Sequence, residues 1–323
     1  MSIENRELFR PSAAVATSAG VTASGQSSAF PKMPFVLVHG AWHGAWTYER
    51  IIPLLAELGH AAVARDLPAH GLNARIPLSY LRRPLDSTAF ATEKSPVAGT
   101  TLDDYVDSII QTIEEVRSLG HDKVVLVGHS MGGLPITAVA ERVPQYISHL
   151  VYLTAFMPKS GVPGVAYIAV PENEGELVGP QLKADPAIVG ALRMDHCSED
   201  VTYRANGKQA YYGDVSDDEY LAVANLMTPD VPVAPLATPV VTTRERWGSV
   251  RRHYIMCLQD QAIRPALQQR FIDEANAFLP ASPTIVHQMD ASHSPFISQP
   301  TVLAELLAGI AATYSQVRNM GDR

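Results

Sequence analysis

Short apolar runs alternate with stretches of helical periodicity along most of the chain. Phe35 to Val38 is a compact apolar run ending in His39-Gly40, and Ile51, Ile52, Leu54, Leu55 and Leu58 then recur at helical spacing until Gly59. That order predicts strand, loop, helix. Ala61 to Arg65 predicts a second strand. After a connection containing Pro and Arg, Thr101-Leu102-Asp103-Asp104 has the form of a capping box. The helix it opens carries Leu102, Tyr105, Val106, Ile109, Ile110, Ile113, Val116 and Leu119 on one face. Lys123 to Val127 then predicts a buried strand, Met131 to Arg142 a helix and His149 to Leu153 another strand. Repeated strand–helix order of this kind defines an α/β fold, a parallel sheet with helices on both faces.

Between Met157 and Trp247 the rhythm gives way to segments punctuated by Pro and Gly. Two helices are predicted there, around Ala184 to Met194 and Asp217 to Leu226. Residues 157–247 are therefore expected to form a cap inserted into a core made of 34–156 and 248–323. The alternation resumes with a strand at Arg252 to Leu258, a helix at Pro265 to Phe278, a strand at Thr284 to Met289 and a last helix at Thr301 to Thr313. Residues 1–33 differ in kind, because Pro11 to Pro31 is built of Ala, Ser, Thr, Gly and Val without period. They are expected to be a flexible tail, with a degenerate export signal as the competing reading. Arg6 and Arg10 precede a small-residue stretch, but Arg6 is followed by Glu7 and the stretch is feebly apolar. A cytoplasmic location is the corresponding expectation, with export as its alternative.

Composition narrows the partners. The chain has 323 residues, 46% hydrophobic and 18% charged, which is too apolar for a disordered protein. Length alone suggests about two domains at roughly 150 residues each. The net charge of −8, without a block of like charges, excludes the electrostatic footprint of a nucleic-acid binder or a polybasic membrane patch. No apolar stretch reaches the roughly 20 residues of a membrane-spanning helix. A small molecule is the expected partner. The only cysteines, Cys197 and Cys257, form no C-x-x-C pair, so the sequence supports neither a disulfide framework nor a cysteine-rich zinc site. Oligomeric state, monomer or homodimer, is left open.

The chemistry concentrates on one strand–turn–helix. Val124 to Val127 runs into Gly128-His129-Ser130-Met131-Gly132 and then into a helix, the context that a G-x-S-x-G nucleophile elbow requires. Turning directly from strand to helix strains the central residue, and Gly128 and Gly132 leave room around it. A serine hydroxyl needs a base, and the base an orienting acid. His293 lies just past the last predicted strand, in Asp290-Ala291-Ser292-His293-Ser294-Pro295, and is the expected base. His287 lies within a strand, His253 begins one, and His129 is expected to pack behind the serine. Asp260, directly after a strand and before a helix, is the first candidate for the acid. Asp290 is the runner-up, and Asp66 reads as a turn residue. An oxyanion needs two donors, one after the nucleophile and one from an early strand's loop. The backbone N–H groups of Met131 and Ala41 occupy those positions. His39 and His43 read as loop residues bonded or packed locally. Trp42, Phe156, Met157 and Phe296 are the candidates for pocket lining.

These residues carry a family resemblance. Phe35 to Trp46, Pro53-Leu54-Leu55, Gly59-His60, Gly128 to Gly133, Tyr152 to Pro158 and Gly248-Ser249-Val250 resemble the α/β-hydrolase branch of plant methylesterases, hydroxynitrile lyases and bacterial esterases. The resemblance implies a mainly parallel sheet of about six strands, a small inserted cap and no cofactor. It also implies an acid at Asp260 and a base at His293. Two marks of the lyases are missing. They carry threonine where this chain has Gly40, and a cyanide-holding lysine where it has Ser294. The stretch from Arg75 to Thr100 is longer than in the plant proteins. The expectation is therefore a serine carboxylic-ester hydrolase acting through an acyl-enzyme on a small, largely apolar ester. A lyase or other cofactor-free chemistry on the same triad, or a ligand receptor on a hydrolase scaffold, are the alternatives. A haloalkane dehalogenase would need Asp where Ser130 stands.

Overall fold

The computed structural model describes residues 32–321, and their side chains up to residue 313. The expected tail or export signal at 1–33 lies, but for its last two residues, outside the described residues. The described chain runs β1 (Phe35–Val38), α1 (Ile51–Glu57), β2 (Ala62–Ala64), α2 (Ser87–Thr92), α3 (Leu102–Ser118), β3 (Val124–His129), α4 (Gly133–Arg142) and β4 (Ile147–Leu153). It continues with α5 (Pro186–Val189), β5 (Ala191–Arg193), α6 (Val201–Tyr212), α7 (Asp217–Ala224), β6 (Asp230–Pro232) and α8 (Ala234–Ala237). The last part is β7 (Arg251–Cys257), α9 (Pro265–Phe278), β8 (Ile285–Met289), α10 (Pro295–Ser298) and α11 (Pro300–Gly321).

Six strands form one parallel sheet in the order β2-β1-β3-β4-β7-β8. The path from β1 to β2 runs toward one edge, and every later step runs toward the other. Right-handed crossovers then place α1 on one face and α3, α4 and α9 on the opposite one. The packing agrees, with α1 against α11 and α3 against α4. The central strands β1, β3 and β4 are buried throughout, which is why they read as unbroken apolar runs rather than alternating ones. The predicted capping box at Thr101 is present, with Thr101 Oγ1 accepting from Asp104 N and Asp104 from the Thr101 backbone.

Two sequence readings need correction, both in 157–247. Ala184 to Met194 is not one helix. It is the single turn α5, ended by Gly190 at φ 78°, followed by β5, which pairs antiparallel with β6. The left-handed glycine stops the helix after one turn. The helix α6 was not predicted, and its Asn206-Gly207 is a pair that ordinarily marks a turn. Gly207 is instead a close-approach site, since a Cβ there would lie 2.6 Å from the Tyr220 hydroxyl on α7.

The β5–β6 ribbon is held by a buried ion pair. Arg193 Nε and Nη2 each donate to an Asp230 carboxylate oxygen at 2.7 Å, and Nη1 donates to the carbonyls of Phe90 at 2.5 Å and Glu93 at 2.8 Å. Arg193 is fully enclosed and Asp230 nearly so. One guanidinium thus fastens the ribbon to α2. Removing one partner from such a pair strands a charge in the interior. Asp230→Ala is expected to destabilise the protein by about 3–5 kcal/mol. The double variant Arg193→Leu, Asp230→Leu should lose less, as read from urea unfolding midpoints.

Candidate active site

Every residue of the sequence-derived constellation sits at the carboxyl end of a parallel strand. Ala41 follows β1, Ser130 and Met131 follow β3, Asp260 follows β7 and His293 follows β8. The strand order reverses between β1 and β3, and crevices at such a switch point are where open α/β sheets bind ligands.

Ser130 has φ 54°, the left-handed conformation expected of the elbow. The turn closes tightly: a Cβ on Gly128 would lie 2.7 Å from the Gly132 carbonyl oxygen, and one on Gly132 would lie 2.7 Å from that of His39. Gly40 is equally constrained, because its Cβ would meet Ser130 Cβ at 2.7 Å. The Ser130 carbonyl accepts from Phe156 N at 3.0 Å, which joins the elbow to the end of β4. The N–H groups of Ala41 and Met131 are not taken up in backbone hydrogen bonds outside the helices and strands, and both residues line the same cavity as Ser130.

Asp260 and His293 are an enclosed pair. Nδ1 of His293 and Oδ2 of Asp260 are 2.6 Å apart, with side chains 1% and 0% exposed. The carboxylate is held by further donors: Thr154 Oγ1 to Oδ2, and Ala262 N at 2.6 Å and Ile263 N at 2.9 Å to Oδ1. Gln268 Nε2 stands 3.5 Å from Oδ2 while spanning to the carbonyls of Cys257 and Ile263. With Nδ1–H donated to Asp260, Nε2 is the nitrogen left to act as a base. Nε2 is not hydrogen-bonded to Ser130 Oγ in this structure; such contacts commonly tighten only around bound substrate.

Thr154, Gln268 and Asp214 were not read from the sequence. Thr154 has φ 37°, an outlier for a β-branched residue, and this bend accompanies the bond from its hydroxyl to Asp260. Asp214 accepts from Ser292 N at 3.0 Å and from Ser292 Oγ, fixing the loop that carries His293. Thr154 and Asp214 lie far in sequence from the groups they support, and Gln268, eight residues from Asp260, sits in the next helix, so no local pattern marks them.

The other acid candidates are engaged elsewhere. Asp290 is exposed and accepts from Gln259 Nε2 at 2.8 Å. Asp66 accepts from Ala45 N at 2.6 Å and Leu72 N at 2.8 Å, tying the loops after β1 and β2 together. His39 accepts Leu67 N at Nε2. His129 packs behind the elbow, its Nε2–H donating to the His293 carbonyl at 2.9 Å and its ring 4.6 Å from that of His293.

Ser130 opens on a cavity of about 90 Å³ with mainly apolar walls. Trp42 and Phe156 line it with Leu192, Leu236 and Tyr211. Met157 and Phe296, expected at the pocket, are not among its lining. Met157 is buried in the core because neighbouring side chains of an extended segment point to opposite sides. Phe296 lies beneath the site, edge-on to His129 at 4.9 Å. A separate cleft of about 270 Å³, lined by Arg83, Lys183, Asp195 and Cys197, includes none of the elbow residues. Among the described residues no cluster of His, Cys, Asp and Glu could hold a metal ion, and no helix is long and apolar enough to cross a membrane.

Fold and elbow define an alpha/beta hydrolase, and the family model described as "Alpha/beta hydrolase family" matches residues 35–306. The chain belongs to that family. Within it the chain falls in the methylesterase-like branch of carboxylic ester hydrolases. It is 29% identical to Methylesterase 9 of Arabidopsis thaliana over 87% of this chain and 98% of that one. It is 29% identical to Salicylic acid-binding protein 2 of Nicotiana tabacum, with the same coverage of 87% and 98%. Among solved structures it is similar in fold to a pyrethroid hydrolase from Sphingobium faniae JZ-2, at TM-score 0.68 and 21% identity over 88% of this chain and 99% of that one. It is also similar to polyneuridine aldehyde esterase, at TM-score 0.63 and 24% identity over 87% and 99%.

The buried histidines around the elbow give a pH dependence. Burial, reinforced by the neighbouring His293, His196 and His70, pushes His43 down to about 3; burial pushes His70 down to about 4, and His39 and His129 well below their usual range. They are neutral in the fold, whereas the unfolded chain takes up protons below about 6.5. Unfolding therefore binds protons in acid, and stability falls as pH drops from about 6.5 toward the folded values. Each such histidine contributes about 2 kcal/mol to the loss between about pH 6.5 and about pH 5. His43→Gln is expected to narrow the difference in urea unfolding free energy between about pH 7.5 and about pH 5 by that amount.

Proposed function

We propose that the protein is a serine carboxylic-ester hydrolase working through an acyl-enzyme at Ser130, with residues 157–247 as the cap over its cavity. The observation that carries this reading is the enclosed Asp260–His293 pair beside the strained elbow of Ser130, at the floor of an apolar cavity. His293 Nε2 takes the Ser130 proton as Oγ attacks the ester carbonyl carbon. The carbonyl oxygen becomes an oxyanion that accepts from the N–H groups of Ala41 and Met131. As the tetrahedral intermediate collapses, the carbon–oxygen bond to the alcohol breaks and His293 returns its proton to the departing alkoxide. Water then attacks the acyl-enzyme with the same proton transfers and releases the carboxylic acid. Asp260 holds the imidazole in the Nδ1–H form and stabilises the imidazolium.

The crowding at Gly40 also favours hydrolysis over the lyase alternative. A threonine there would push its Cβ into Ser130. At the other lyase mark, Ser294 is buried and brings no cation. The apolar walls suit a small, largely apolar ester.

Ser130→Ala is expected to lower kcat on an aryl butyrate by about a thousandfold or more, with unchanged thermal unfolding. Wild type should show a burst of the aryl alcohol that the variant lacks. Full activity in Ser130→Ala would overturn the reading, and cyanide release from a cyanohydrin would point to the lyase.

A further inference from the structure

Among the described residues lining the cavity, Glu176 alone carries a charge, and no lysine, arginine or histidine is among them. Its carboxylate accepts from the backbone N–H of Val178 at 2.7 Å and of Gly179 at 3.0 Å. Gly179 leaves the space for this, because a Cβ there would lie 2.5 Å from Glu176 Oε1. These amides orient the carboxylate without neutralising it. The cations on the neighbouring segment are engaged elsewhere. Arg270 pairs with Glu172 and Glu274, and Arg264, whose guanidinium donates to the neutral Gln261 amide, makes no ion pair with Glu176. Glu176 also borders a surface groove that shares Ile168 and Asn173 with the cavity and adds Glu174. The charge therefore stands where cavity and surface meet.

We propose that Glu176 makes the cavity select its esters by charge, admitting neutral and cationic ones and turning away esters that carry a carboxylate or another anion. This deepens the esterase reading and rests on it. A charge at the mouth of an apolar cavity acts on a ligand through less screening than one in bulk water. Its field crosses the cavity: the Tyr211 hydroxyl, pushed up first by burial, is pushed up further by Tyr203 and Glu176. The Tyr211 ring lies 5.9 Å from that of His293. A like charge brought into this space costs affinity, and an ammonium does not.

The test uses three butyryl esters of matched size: of choline, of the neutral alcohol with tert-butyl in place of trimethylammonium, and of the analogue in which one of those methyls is a carboxylate. A second trio carries the same tails on the acyl side of a methyl ester. In at least one series, kcat/KM for the anionic ester is expected to be about tenfold or more below that for the neutral one. Glu176→Gln, whose side-chain oxygen can still accept the two amides, should bring the two within about twofold. An anionic-to-neutral ratio that is near one in wild type, or unchanged in Glu176→Gln, overturns the proposal. Binding of the same esters to Ser130→Ala and to Ser130→Ala, Glu176→Gln, read by tryptophan fluorescence, separates the two readings. If wild type hydrolyses none of the esters, the esterase reading fails. Charge selection then stands or falls on whether the anionic ester binds Ser130→Ala about tenfold more weakly than the neutral one and recovers in the double variant.

Discussion

The left-handed backbone at Ser130 constrains everything near it. A non-glycine residue at φ 54° is costly and persists only where the surroundings leave no alternative. Here they are supplied by close approaches. The loop after β1 presses on Gly132 through the His39 carbonyl, the start of α4 lies under the Phe156 carbonyl, and Gly40 fits against Ser130 itself. A Cβ on Gly133 would be 2.0 Å from the Phe156 oxygen. One strained residue therefore sets the spacing of the β1 loop, the β4 exit and the first turn of α4, and these same segments supply Trp42, Phe156 and Met131 to the cavity.

The enclosed carboxylate adds a second condition that reaches across more of the chain. Asp260 gathers donors from the end of β4, from its own loop and from α9, so its position depends on elements separated by more than a hundred residues. The imidazole it orients is steadied from the other side by Asp214, at the end of α6, through Ser292. Such a network makes a buried charge tolerable because nearly every lone pair is used. It also explains why Asp290, although nearer to His293 in sequence, is a poor orienting group: it faces outward.

The parts of the fold built from buried parallel strands were legible in the sequence. Phe35 to Val38, Val124 to Val127 and the face of α3 repeat an apolar pattern that only one kind of element can bury, and the elbow follows from the glycines around Ser130. What escaped notice depends on contacts rather than periodicity. Arg193 looks like a surface residue and is buried because Asp230 opposes it in register across β5 and β6. Gly207 looks like a turn and is a helix residue that makes room for Tyr220. Met157 and Phe296 are large, apolar and close in sequence to motif residues, as Phe156 is, and sequence proximity could not say which of the three would face the cavity. Thr154 and Gln268 gave no signal, since a threonine after a strand and a glutamine in a helix are ordinary until the carboxylate between them is located.

The wall of the cavity opposite the elbow comes from 157–247, where periodicity was weakest, and it is fastened to the sheet by individual polar contacts. Trp42 Nε1 donates to the Leu192 carbonyl at 3.2 Å, and Thr228 N to that of Trp42 at 2.9 Å. Leu177 N donates to the Gln261 carbonyl at 2.9 Å, and Arg264 N to Asn173 Oδ1 at 3.1 Å. These ties join the segment to the β1 loop and to the loop of Asp260. Between the ties, the side chains facing the cavity are free to differ without disturbing elbow or carboxylate. The candidate reacting groups thus belong to the repeating part of the chain, and most of the cavity wall to the irregular part. The overall charge of −8 is accordingly uninformative about the cavity, whose described lining carries a single charge, Glu176, on that wall.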